Sequence, residues 1–457
     1  MLTTDCKFLE NELLDVARLF KIRPNDITHA FRFDEGVFYN AFEVDGKKYA
    51  FKNTGKVENE LEFKRLERRF AKLRLYEILS ETYHENMPWG ALTGIRPTKL
   101  AYNALETGED VETLFRDMHV CEENIRLVKK ILDTQRGIYQ KKNGNTDLFV
   151  SLPFCPTKCA YCSFITAPIE KTRAYLPAYL DCLDREIAQA DGFIKNLRSI
   201  YVGGGTPFAL DTPDLKRVLQ SLASIRERFE GVEYTVEAGR PDVFSKEKLA
   251  LLKEFDVTRI CINPQTFSNE TLKNIGRKHT IEDFYRAYSM AEEYGFCVNI
   301  DLIAGLEGET VETFVRGVES AAQMGADNIT VHCLSLKAGA KLKEEISYIE
   351  NGFISTMVGA SREILEKNGY LPYYMYRQKY QAGNNENVGW TKAGKACVYN
   401  IDVMEETADN LAVGGNAISK RVETESGLIT RLASQKDLPT YIEKIDELLE
   451  KKRVFFE

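Results

Sequence analysis

The stretch DLFVSLPFCPTKCAYCSF, Asp147 to Phe164, joins an apolar run of strand composition to a loop that holds Cys155, Cys159 and Cys162. The strand half of this pattern recurs downstream. RSIYVGG (198–204), YTVEA (234–238), RICINPQ (259–265), FCVNIDLI (296–303) and NITVHCL (328–334) also read as strands, and each is followed by an amphipathic helical pattern. Helix starts are marked locally: Thr212 before Pro213 reads as a cap with proline at the first helical position, and Thr280 stands three residues before Asp283 as in a capping box. Six βα units in series imply a parallel sheet, because each crossover helix must pack back onto the strands beside it. The class is α/β. A doubly wound sheet and an incomplete TIM-like barrel both satisfy the pattern, and periodicity does not separate them.

At 457 residues the chain is too long for one ordinary core. The region 1–146 has its own pattern: an early helix, alternating segments THAFRFDEG and VFYNAFEVDGKKYAFK with turns at Asp34-Glu35-Gly36 and Asp45-Gly46, and a long charged helix from ENELEFKRLE onward. Its basic residues alternate with Glu at helical spacing, which fits a solvated face better than a nucleic-acid surface. The expected division is an α+β region 1–146, a βα core 147–338 and a C-terminal region 339–457. That last region is tyrosine-rich at GYLPYYMYRQKY and glycine-rich at LAVGGNAISKR.

A net charge of −8 weighs against partners held mainly through phosphates. No run approaches the ~18 apolar residues of a membrane span, and the chain begins without a basic and then apolar leader. The reading is a cytoplasmic protein with no membrane span and no nucleic-acid partner. Ten cysteines, sparse except for the one cluster, fit a reducing compartment and a metal site better than disulfides.

Structural zinc takes four protein ligands, and no second Cys or Cys/His pair stands ready to complete the trio. His332 and Cys333 are neighbours on a strand, so their side chains point to opposite faces. Thiolate clusters favour iron–sulfur chemistry, and three thiolates leave one iron of a four-iron cluster open to a small molecule. Other polar motifs fall at the carboxyl ends of the same strands, where α/β enzymes build their sites. These are GGGTP (203–207), Glu237 in VEAGRPD, Gln265 in NPQTF, Arg277 in NIGRKHT and Asp301 in NIDLIAGL.

The C-x3-C-x2-C spacing with Tyr161 resembles the signature of radical S-adenosylmethionine enzymes. Together with GGGTP, VEAGRPD, PQTF, GRKHT and DLIAGL it is similar to the oxygen-independent coproporphyrinogen III oxidase family. PWGALTGIRPTKLAY, YYMYRQKYQAGNNENVGW and LAVGGNAISK resemble its HemZ-like branch. The resemblance implies a partial (β/α)6 TIM-like barrel with an α+β N-terminal domain and a C-terminal extension. It implies a [4Fe-4S] cluster on Cys155, Cys159 and Cys162, with S-adenosyl-L-methionine on the open iron. Gly204, Gly205 and Thr206 would hold the methionine part, Glu237, Gln265, Arg277 and Asp301 the polar and ribose groups, and Ile303 the adenine side.

The implied reaction is radical oxidative decarboxylation of coproporphyrinogen III propionates to vinyl groups, giving protoporphyrinogen IX. A low-potential electron donor such as flavodoxin or ferredoxin is implied with it. A tetrapyrrole with several carboxylates calls for cations and aromatic surface, and Arg240, Tyr376 and Arg377 are the candidates, beside Tyr373, Tyr374, Lys379 and Tyr380. Two positions depart from the HemN-type pattern: Phe164 stands where those enzymes have a further cysteine, and Phe149 where they have a tyrosine. Phe164 resembles the HemW branch, associated with haem binding and transfer. Haem carriage and other radical chemistry on tetrapyrroles, such as haem methylation and ring opening, therefore stay beside decarboxylation as alternatives.

Overall fold

The computed structural model describes residues 2–20, 27–94, 96–164, 167–335, 351–378 and 385–457. The boundary expected at 338/339, and Lys379 and Tyr380, lie outside them. The chain divides into two compact units, 1–129 with 377–379, and 130–376 with 380–457.

The first unit carries a four-stranded sheet of β1 (Leu2–Thr4), β2 (Ile27–Asp34), β3 (Val37–Val44) and β4 (Lys47–Thr54), in that spatial order. β2, β3 and β4 form the antiparallel meander that their alternation predicts. Glu35-Gly36 and Asp45-Gly46 make its turns, all four at positive φ, the backbone that tight hairpins require. A helix over Glu60–Tyr83 covers the sheet; Asn59 caps it by accepting from the Glu62 N–H.

The second unit is organised by one sheet. β5 (Asn145–Leu152), β8 (Asn196–Gly204), β9 (Glu233–Gly239), β10 (Arg259–Ile262), β11 (Cys297–Ala304) and β12 (Asn328–Cys333) pair in parallel in chain order. The intervening β6 (Phe154–Cys155) and β7 (Ala167–Pro168) form a separate two-stranded ladder. These six parallel strands are the βα series expected from the sequence. The helix after β8 spans Thr212–Arg228 with Asp211 as its cap residue, one place earlier than Thr212-Pro213 indicated. The Thr280/Asp283 capping box forms as expected.

The C-terminal segment extends this sheet at both edges, which the sequence reading did not foresee. β13 (Leu371–Tyr376) and β14 (Asn387–Thr391) continue it beyond β12 as antiparallel strands. On the other side β15 (Asp409–Val413) joins β5 in parallel, followed by antiparallel β16 (Ile418–Val422) and β17 (Ile429–Ala433). The glycines after β15 are bound down: Gly414 N–H donates to Glu186 at 2.6 Å and Gly415 N–H to the Tyr179 hydroxyl at 3.0 Å. Buried Glu186 is neutralised by buried Lys452 at 2.5 Å, so its carboxylate keeps a partner out of water.

The two faces of the parallel strands differ. Ile200, Val202, Val236, Ile260, Ile300, Leu302, Ile329 and Val331 are buried apolar residues. The alternate positions carry Tyr201, Glu237, Cys261, Asn299, Asp301, Thr330 and His332, all of which line one cavity. No helix among the described residues is long and apolar enough to cross a membrane.

Candidate active site

β5 delivers the chain to the cysteine loop, and β6 and β7 hold the two ends of that loop together. The GGGTP turn at the end of β8 clamps its entrance. Gly205 N–H donates to the Leu152 carbonyl at 2.9 Å and Thr206 N–H to the Phe154 carbonyl at 2.7 Å. A Cβ at Gly205 would stand 2.4 Å from the Phe154 oxygen, so glycine is required there by the backbone beside it. The Thr206 hydroxyl lies 3.6 Å from the Cys155 sulfur.

Cys159 is buried, Cys155 and Cys162 half-buried. Burial pushes the Cys162 thiol up, and the neighbouring Cys159 and Cys155 add to it. Such thiols become ligands when a metal displaces their protons. Among the described residues no three His, Cys, Asp or Glu side chains close around a single ion.

Arg277 reaches the loop from the segment after β10. It donates to the Asn263 carbonyl at 2.5 Å and to the Tyr161 hydroxyl at 3.0 Å. Burial opposes its charge, while Tyr161 and Cys159 hold it charged. Its Nε is buried without a partner among the described residues, and so is Oε1 of Gln265. Gln265 is hooked onto β11: its N–H donates to the Asp301 carbonyl at 3.0 Å and its carbonyl accepts from Ile303 N–H at 2.9 Å. It adopts a φ of 70°, unusual for a residue with a side chain. Ile303 belongs to an apolar cluster with Leu272, Ile275, Leu306 and Leu334, against which Tyr161 packs.

Glu237 and Asp301 face a cavity of about 200 Å3 shared with Tyr201, His332, Tyr374 and Tyr376. Tyr201 donates to Glu237 at 2.5 Å. Burial pushes the Glu237 carboxyl up to about 7, against the hydrogen bonds from Tyr201 and the Gly204 N–H. Asp301 is also opposed by burial, yet His332, Asn299 and Thr330 hold it below the usual carboxylate range.

These residues fit a cluster-bound S-adenosylmethionine. The loop supplies three thiols, Gln265 and Arg277 supply an orphaned buried acceptor and donor, Glu237 and Asp301 supply carboxylates, and Ile303 supplies an apolar wall.

The three substrate-side expectations diverge. Tyr376 lines the cavity. Arg240 is buried, held by Asp242 at 2.9 and 2.6 Å, and bonded to the Thr157 hydroxyl of the cysteine loop. Arg377 lies in the first unit, 5.1 Å over the Trp89 ring, donating to the carbonyls of Leu92 and Gly94. Both guanidiniums hold loops together through these bonds. His332, weighed from the sequence only as a zinc partner, is among the cavity residues to which sequence reasoning gave no part, with Tyr201, Asn299 and Thr330. His332 lies next to the end of the sixth strand, β12, as Asp301 lies near the end of the fifth, and that parity was its signal.

A profile of the Radical SAM superfamily matches residues 149–321. The chain is 35% identical over 386 residues to the oxygen-independent coproporphyrinogen-III oxidase-like protein HemZ of Bacillus subtilis (strain 168), covering 81% of this chain and 77% of that one. It is 32% identical over 190 residues to the heme chaperone HemW of the same organism, covering 41% of this chain and 49% of that one. Among solved structures, the radical SAM coproporphyrinogen III oxidase HemN of Escherichia coli is similar in fold, with a TM-score of 0.54 and 21% identity over 69% of this chain and 72% of that one.

Proposed function

The chain belongs to the radical SAM superfamily, in the family of the HemZ-like proteins, and on that premise we propose that it decarboxylates coproporphyrinogen III to protoporphyrinogen IX. Its family works with a [4Fe-4S] cluster and S-adenosylmethionine. When bound, that pair supplies a 5'-deoxyadenosyl radical able to take a hydrogen atom from a propionate side chain.

In this reading Cys155, Cys159 and Cys162 ligate the cluster. Thr206 and Arg277 support the thiolates, and Gly204, Gly205 and Thr206 form the turn at the methionine end. Glu237, Gln265, Arg277 and Asp301 orient the polar and ribose groups while Ile303 closes the apolar side. Fixing the adenosyl group against the substrate is what the protein contributes to rate. The protein would act in the cytoplasm with a low-potential donor such as a flavodoxin or ferredoxin. The observation that carries the substrate assignment is the 81% coverage by the HemZ-like relative, which extends well beyond the matched core at 149–321.

Haem carriage is the second reading, favoured by Phe164, which is 67% exposed at the edge of the cysteine loop, and by the similarity to HemW. Anaerobic incubation with coproporphyrinogen III, S-adenosylmethionine and reductant, followed by mass analysis, separates the two. Loss of two carbon dioxides with formation of 5'-deoxyadenosine is expected. Stoichiometric haem binding without substrate mass loss, under conditions where the cluster cleaves S-adenosylmethionine, overturns decarboxylation in favour of carriage.

A further inference from the structure

Three strands meet at Asp301. Asn299, two residues before it on β11, donates to Asp301 Oδ1 at 2.9 Å. On β12, His332 Nε2 stands 3.8 Å from the same oxygen. On β13, the Tyr376 hydroxyl lies 2.9 Å from His332 Nδ1. β14 separates β13 from β12 in the sheet, so the tyrosines must cross it. Gly389 makes room: a Cβ there would stand 1.9 Å from the Tyr374 ring. The Tyr374 hydroxyl thereby comes within 3.4 Å of Thr330, and Thr330 in turn supports Asp301.

The proton arrangement follows from chemistry. A neutral imidazole has one donor and one acceptor nitrogen. Were Nδ1 the protonated one, Nε2 would turn a lone pair toward a carboxylate. With the Tyr376 hydroxyl donating to Nδ1, the ring proton is left on Nε2, the nitrogen 3.8 Å from Asp301 Oδ1. Both Asn299 and His332 then act on Oδ1, fixing the carboxylate on the cavity wall, where it can accept from a ligand hydroxyl. We infer that His332, set by Tyr376, is the positioning residue that keeps Asp301 charged and oriented to accept from the ribose hydroxyls of the adenosyl group.

This inference rests on the reading that places the adenosyl group beside Asp301. The experiment uses the full chain with its cluster reconstituted, and S-adenosylhomocysteine as probe in anaerobic calorimetric titration. Asp301→Asn and His332→Ala each weaken binding roughly ten-fold, the loss of one hydrogen bond to a charged group. The double variant is no weaker than the weaker single variant, because His332 acts through Asp301. His332→Gln, which restores an N–H donor at the place of Nε2, recovers most of the affinity. Wild-type affinity in Asp301→Asn refutes the placement of the adenosyl group. Weakened binding in Asp301→Asn, with wild-type affinity in His332→Ala or with additive losses in the double variant, refutes the role of His332.

Discussion

The Arg277 guanidinium donates a 3.0 Å hydrogen bond to the Tyr161 hydroxyl, and through it the segment after β10 grips the middle of the cysteine loop. The same cation sits beside the Cys159 sulfur. Removing it strips a buried positive charge from a site that must hold thiolates, at a cost of roughly 1.5–3 kcal/mol for each hydrogen bond to a charged group. Arg277→Ala is expected to take up less iron and sulfide per chain on reconstitution and to lose it faster. Tyr161→Phe removes one hydroxyl and retains the cation, so its iron content stays near that of the unaltered protein. Equal cluster content in Arg277→Ala and the unaltered protein would show that the guanidinium serves only the cofactor.

Ligation itself is tested by three single changes and two controls. Cys155→Ala, Cys159→Ala and Cys162→Ala each abolish the four-iron absorption. Cys333→Ala and Cys182→Ala keep it: Cys182 is in contact range of the Ile442 carbonyl at 4.0 Å, and Cys333 donates to the Glu386 carbonyl at 3.3 Å. Loss of the cluster in either control removes the three-ligand assignment.

The parallel core was legible because each of its strands carries a period-two or continuous apolar run, and two of the helix starts that follow, at Thr212-Pro213 and Thr280, are marked by local signals. The cysteine loop was legible for the same reason. The edge strands were not. LPYYMY reads as an aromatic packing segment, and nothing nearby in sequence says that it will pair with NVGWT across a chain reversal; only the sheet supplies that partner. The partners of Arg240 and Arg377 were not legible either: the carbonyls of Leu92 and Gly94 and the carboxylate of Asp242 that these guanidiniums meet are set by tertiary packing.

Glu237 carries a pH signature. Its carboxyl is raised from an ordinary 4.5 to about 7 by burial, so folding favours the protonated form. The sign follows: stability is fully present below about 4.5, falls as pH rises toward 7, and stays at the lower level above it. Glu237→Gln imitates the protonated acid and still accepts from Tyr201. Relative to the unaltered protein, its stability in denaturant titration should rise between pH 4.5 and 7.5, by an amount on the order of 3 kcal/mol. A stability difference that does not change with pH means that Glu237 keeps its charge at no cost.

Gly389 offers a test of how β13 reaches the cavity. Its φ lies outside the left-handed region, so alanine meets no backbone strain there, and the whole penalty comes from the Tyr374 ring 1.9 Å from the new methyl group and the Tyr373 ring at 2.9 Å. Both rings are buried, at 6% and 0% exposure, and cannot swing into solvent. Overpacking of this kind costs about 1–3 kcal/mol or more. Gly46 is the contrasting case. It has a φ of +78° with nothing within 4 Å of a Cβ, so alanine there costs only backbone strain, about 1–2 kcal/mol. Thermal unfolding should therefore register both substitutions. Gly389→Ala alone should also weaken S-adenosylhomocysteine binding, because moving Tyr374 off Gly389 takes its hydroxyl away from Thr330 and shifts the strand that carries Tyr376. Unchanged affinity in a folded Gly389→Ala protein would mean that the tyrosines of β13 cross β14 for packing alone.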